Sequence, residues 1–203
     1  SSLEINIDTF DKQLKILKES KKKFINGKKD LNIFFKNKEI SNENKKKFLI
    51  TIDDADYNVK KILPIIEKYK IPFILFAPIG FCINERDIIG LRCRYLHHLY
   101  FKLSKNLAKN NFKELLLSKF HEVLKLDYNK LKLSYKNLVY NNESFFNKKK
   151  FLSLSDLFQL SKNPLITVAS HSMTHLPLSE LPNEWLNWEI KESKKYINKL
   201  NGD

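Results

Sequence analysis

The chain has 203 residues, 42% of them hydrophobic, and a formal net charge of +14 at pH 7. The apolar content is enough for a sizeable core and excludes a disordered tail, and the length suits one domain or one domain with a large insertion. Lysine and asparagine are spread over most segments, arginine is confined to Arg86, Arg92 and Arg94, and no recognition helix or RNA-binding motif accompanies the charge. Sequence-specific nucleic-acid binding is therefore not expected; an anionic glycan or surface suits the charge better. Cys82 and Cys93 stand in no metal-binding or redox spacing and are expected as free thiols. The most apolar stretch, Ile71–Ile83, is interrupted by Pro72, Pro78 and Gly80 and is too short to span a bilayer. No apolar signal segment opens the chain.

Asp8 is placed to cap a first helix with Phe10, Leu14 and Leu17 on one side, closed by the basic run Lys21–Lys23. Asn26-Gly27 marks a turn, Leu31–Phe35 a short helix, and Lys36–Lys47 a charged linker. The stretch Phe48–Asp54, FLITIDD, reads as a strand covered on both faces that ends in two adjacent carboxylates, Asp53 and Asp54. Asp56 is expected to cap the helix that follows. Val59, Ile62, Leu63 and Ile66 recur at helical spacing, with Pro64 inside the pattern, and Ile71–Phe76 reads as a second strand, so the unit is a parallel βαβ. Helical patterns then occupy Ile88–Leu107, Phe112–Leu126 and Leu131–Val139; His97, His98 and His121 fall there and read as surface or packing residues. Ser153 or Ser155 can cap a short helix, Leu165–Ala169 is a third strand, and a helix from Pro182 to Leu200 carries Trp185, Trp188 or Ile190, Tyr196 and Ile197.

The third strand runs directly into His171 and His175, four residues apart, in a segment that Pro177 favours as a loop or single turn. Carboxylates at one strand end and imidazoles at another are the components of a three-ligand divalent-metal site with positions open for water and substrate. One of the two acids can bind the metal while the other stands beside it as a base.

These residues carry a family resemblance. TIDDADYN resembles the T-F-D-D-G motif, and SHSMTH the S-H-[ST]-x-x-H motif, of the polysaccharide deacetylases with NodB homology, carbohydrate esterase family four. The resemblance covers roughly Lys47–Phe81 and Phe151–Leu200, and Phe10, Gln13, Leu14 and Leu17 are similar to a helix that precedes the first catalytic strand in many members. Ala55 departs from it where the family usually has glycine. The resemblance implies an α/β fold, a NodB-type deformed (β/α) barrel with a helical insertion between the second and third strands. The corresponding segments are 1–86, 87–147 and 148–203.

It implies that Asp54, His171 and His175 hold a divalent metal, zinc foremost with cobalt, nickel or manganese also compatible. Asp53 is implied as the general base that takes a proton from the attacking water, and the Ser172 and Thr174 hydroxyls are the nearest candidates to orient the ligands. The implied activity is hydrolysis of N-acetyl or O-acetyl groups on a polysaccharide or glycan precursor, an N-acetylated glycan being the substrate. No R-x-x-[FY] or L-x-H motif follows His175, where the family carries them, so an incomplete barrel is expected, with an open sheet edge available for self-association. A catalytically silent metal- or carbohydrate-binding fragment is the alternative. Either the cytoplasm or the cell envelope of a bacterium is compatible with the family.

Overall fold

The computed structural model describes residues 6–31, 47–106, 111–139 and 150–201. It is a mixed α/β structure, mostly helical, with two small parallel sheets. Helix α1, Ile7–Glu19, is capped by Asn6, whose side chain accepts from Thr9 N, so the cap lies two residues before the expected Asp8. Asp8 sits in the first turn instead, where its charge still complements the exposed amides. After α1, Lys23–Phe24 (β1) pairs in parallel with Lys47–Phe48 (β2), a pairing not foreseen from the sequence. Between them Asn26 and Gly27 turn the chain onto the third strand of the main sheet: a Cβ on Gly27 would stand 2.5 Å from Thr167 Oγ1. The expected helix Leu31–Phe35 and linker Lys36–Lys47 lie almost wholly outside the described residues.

The main sheet has three parallel strands in sequential order: β3 (Thr51–Ile52), β4 (Phe73–Ala77) and β5 (Ile166–Ser170). Its register sets Ile52 beside Leu75 and Leu75 beside Val168, so the chain leaves β3, β4 and β5 on the same side of the sheet. Residues just past the ends of such strands converge, which is where open α/β sheets bind ligands. β4 is buried at four of its five positions, as a central strand should be.

The first strand differs from expectation. Phe48 and Leu49 are 41% and 43% exposed, and ladder pairing with β4 is confined to Thr51 and Ile52. The expected strand is split: its first part, β2, pairs with β1, while β3 is an edge strand whose one ladder partner among the described residues is β4. The apolar run is only partly buried: Ile50 and Ile52 pack against the core cluster while Phe48 meets Phe24 at 6.2 Å. No closed barrel is formed by the described residues.

Helix α2, Val59–Tyr69, joins β3 to β4 and contains Pro64 without interruption; Lys70 ends it in the left-handed conformation. After β4 come the short α3 (Ile79–Cys82) and three longer helices, α4 (Ile88–Asn106), α5 (Phe112–Lys125) and α6 (Tyr128–Val139). These pack around Leu96, Leu116, Phe120 and Leu131 into a second buried cluster, which also takes in Leu176, Leu181 and Trp185 from beyond β5. Arg94 ties α3 to α4 by donating to the carbonyls of Gly80, Phe81, Ile83 and Gly90. Helix α7, Leu154–Ser161, opens with a capping box of Ser153 and Asp156. The last helix, α8 (Asn183–Asn201), buries Trp185, Glu189 and Ser193 along one stripe. No helix among the described residues is long and apolar enough to cross a membrane.

Candidate metal centre

The two acidic residues that end β3 part company at once. Asp53 is exposed and Asp54 partly buried, and the chain turns sharply because Asp54 and Ala55 both take left-handed backbone angles, with φ of 70° and 47°. Two strand residues in succession would face opposite sides; the strand has ended, so Asp54 is free to swing across the strand ends. The turn is held from behind by residues just before α7: Leu152 N donates to Ala55 O, Tyr57 N to Lys150 O, and Asp56 bridges Phe151. Asp56 closes the turn by accepting from Asn58 N at 2.8 Å, so its side chain serves the start of α2 as the sequence suggests, although Asn58 is the capping position.

His171 and His175 follow β5 in a loop. His171 continues the ladder by one bond, its N–H donating to Ala77 O at 2.8 Å. Ser172 and His175 then take φ of 66° and 56°, which folds the loop back so that both rings face Asp54. The Nε2 atoms of His171 and His175 lie 3.5 and 2.9 Å from Asp54 Oδ1, the two ring centroids are 4.7 Å apart, and one ligand atom from each residue falls within 4.8 Å of the others. Tetrahedral bonds of about 2.0–2.2 Å keep neighbouring ligand atoms roughly 3.3 Å apart, so the separations suit one ion of that size. One carboxylate and two imidazoles suit zinc and the later first-row cations more than calcium or magnesium. The side chains of Asp54, His171 and His175 are 26%, 37% and 25% exposed, so the centre opens to solvent.

Non-glycine residues with positive φ cost on the order of 1–3 kcal/mol each and persist where their surroundings leave no alternative. Four of those among the described residues stand in these two turns; the other two, Lys21 and Lys70, terminate helices. The histidine loop has the required surroundings. Ile79 N and Gly80 N, at the start of α3, donate to the carbonyls of Ser172 and Met173. Ser172 N donates to Ser170 Oγ, and Ser172 Oγ accepts from His175 N at 3.1 Å. Glu189, with no exposed surface, accepts from Met173 N at 2.7 Å, from Thr174 N at 2.9 Å, from the Thr174 hydroxyl and from Trp185 Nε1. Burial pushes its carboxyl pKa upward, an effect these donors oppose. On the far side His97, 1% exposed, holds Thr174 O from its Nδ1 at 2.8 Å, and its ring centroid lies 6.5 Å from that of His175.

The structure therefore brings Asp54, His171 and His175 together and leaves Asp53 beside them in the chain but outside that cluster. Of the two hydroxyls expected to orient the ligands, Ser172 braces His175 directly, whereas Thr174 turns away from the rings to bond Glu189. Among the three helical histidines His121 pairs with Glu184 at 2.8 Å, and His97 and His98 are buried; none joins the ligand cluster. Glu189 and His97 are the functional candidates that sequence reasoning missed. For Glu189 a signal existed: it stands four residues after Trp185, on the stripe that Ser193 continues, an acid where helical periodicity demands an apolar residue. His97 gives no such signal, since only the tertiary approach of α4 to the loop defines its role. Comparison of the chain with protein-family models, with curated proteins and with solved structures found no match.

Proposed function

We propose that this chain is a metal-dependent deacetylase acting on an N-acetylated glycan, of the NodB-homology type that its two motifs resemble. The observation that supports this reading most is the meeting of Asp54 with His171 and His175 at the ends of β3 and β5, in an open and asymmetric three-residue donor set. Asp54, His171 and His175 would hold the divalent cation, which would supply Lewis-acid polarisation of the acetyl carbonyl and a lowered pKa for the attacking water. The chain's own residues do the rest. Asp53, exposed and adjoining Asp54, accepts the water's proton as general base. Asp54 balances cationic charge, and the loop 171–175 holds the two imidazoles at fixed separation. Because the three ligands are all partly exposed, a polymer can approach the centre without entering a closed cavity.

The test is acetate release from an N-acetylated chito-oligosaccharide by zinc-loaded protein, compared with Asp53→Asn. The reading expects turnover that falls by about 10²–10⁴-fold in the variant, the range for loss of a positioned base. Zinc and oligosaccharide binding without acetate release from the parent chain would contradict it and establish a binding module.

A further inference from the structure

Thr174 lies inside the histidine loop, is completely buried, and has every backbone polar group engaged by a buried side chain. Its N–H and hydroxyl both go to Glu189 on α8, and its carbonyl oxygen goes to His97 on α4. A carbonyl only accepts, so the His97 Nδ1 carries the proton of this bond. The two clamping residues approach from opposite elements, and neither α4 nor α8 contributes a ligand atom. Between them they fix the peptide groups on both sides of Thr174, immediately before His175, whose left-handed φ of 56° depends on that constraint.

We propose that Glu189 and His97 are a positioning pair that holds the 171–175 loop in its ligand geometry, coupling the helices α4–α6 to the metal centre. The inference rests on the metal-centre reading for its functional consequence, but the clamp itself does not require an ion. Two observations show that the helical cluster is continuous with this loop. Phe120 of α5 stacks on Trp185 at 5.0 Å, and Trp185 Nε1 donates to the same Glu189 carboxylate. His97 in turn packs edge-on against Phe81, at 5.2 Å, and Phe101, at 4.9 Å. Movement of α4 is thereby transmitted to Thr174 O, and movement of α8 to Met173 N and Thr174 N.

The experiment has two readouts on the full chain. The first is amide hydrogen exchange of Met173 and Thr174 in chelator-treated protein, which reads the clamp without metal. The second is zinc affinity by competition with a chromophoric chelator. Four proteins are compared with the parent: Glu189→Gln, Thr174→Val, His97→Gln and His97→Phe. The amides of Met173 and Thr174 share Oε2, and the Thr174 hydroxyl and Trp185 Nε1 share Oε1. Glu189→Gln turns one of these oxygens into a donor, so one pair loses its acceptor, and Thr174→Val removes the hydroxyl donor at nearly constant volume.

Both are expected to speed exchange at 173 and 174 at least tenfold and to weaken zinc roughly 10–100-fold, the range for residues that orient metal ligands. Should Glu189→Gln not fold, Thr174→Val and the His97 pair carry the test. Glutamine at 97 can still donate to Thr174 O, whereas phenylalanine keeps the ring and loses the bond. Retention by His97→Gln and loss by His97→Phe supports positioning; the reverse order shows that His97 serves packing alone and overturns its part. Unchanged exchange in Thr174→Val and Glu189→Gln overturns the clamp. Faster exchange in variants of a parent that binds no zinc would sustain the clamp and reject the metal-centre reading, so the two failures are distinguishable.

Discussion

Asp54 Oδ1 lies 2.9 Å from His175 Nε2, joining the end of β3 to the loop after β5 across the whole helical region. This contact sets a carboxylate acceptor against an imidazole, and a divalent cation bound by both would tie the two strand ends together. Binding to the folded state alone stabilises it by mass action, about 2.7 kcal/mol at a free ion concentration one hundred times Kd. Zinc should therefore raise the melting temperature of the parent chain, and addition of a chelator should return it. Asp54→Asn keeps the size of the side chain but loses its charge, and thermal scans of that variant should show no zinc-dependent shift.

Ala55 takes φ of 47° with no exposed surface. Glycine there relieves roughly 1–2 kcal/mol of left-handed strain, but loses about 0.8 kcal/mol of buried methyl and gains about 0.4–1 kcal/mol of unfolded-state freedom. Ala55→Gly should stay within about 1 kcal/mol of the parent in urea unfolding. Ala55→Val, which adds a β-branched side chain in the same conformation, should lose at least about 2 kcal/mol.

At Gly80 a Cβ would stand 2.4 Å from both Cys93 Cβ and Sγ, and 2.5 Å from Met173 O. The last of these is backbone of the histidine loop and cannot yield as a side-chain tip can. Gly80→Ala should cost on the order of 1–3 kcal/mol, as overpacking does, and should weaken zinc as well. Parallel urea unfolding and chelator competition would show both losses together, whereas a stability loss with unchanged affinity would separate α3 from the loop.

Cys82 and Cys93 are both buried and free. Burial pushes the Cys82 thiol up to about 12 and the Cys93 thiol well above its ordinary value. A raised thiol pKa depletes the thiolate, the reactive form, so at pH 8 both should resist an aromatic disulfide reagent in the folded chain. In guanidinium they return to the ordinary range near about 8.5, and both thiols of the sequence should then titrate. Rapid labelling of the native protein would contradict the packing around Gly80.

The elements that position the centre were largely legible because each announces itself locally. The serine cap of α7, narrowed to Ser153 or Ser155, the period of Val59, Ile62, Leu63 and Ile66, and the abrupt change from apolar to charged at Asp53 all express near-neighbour chemistry. So do the three helices between 88 and 139, whose bounds fall within a few residues of expectation. What failed depended on distant chain. FLITI has the composition of one continuous central strand, yet it is divided between two small sheets and leaves Phe48 and Leu49 exposed, and composition cannot express that. The β1–β2 pairing joins two short basic segments with no alternation to mark them. The first helix begins two residues early because Asn6 competes with Asp8 for the same capping geometry. In the site itself the donor residues were readable, while the clamp through Thr174 was not, since it is made by burial of polar groups on elements that carry no ligand.

The most direct test is the metal content of the purified chain, measured beside a His171→Ala, His175→Ala double variant. The account predicts one tightly held divalent ion per chain in the parent and none in the variant, with both proteins folded by circular dichroism. No stoichiometric ion in the parent after incubation with zinc, or equal retention by the variant, would contradict it.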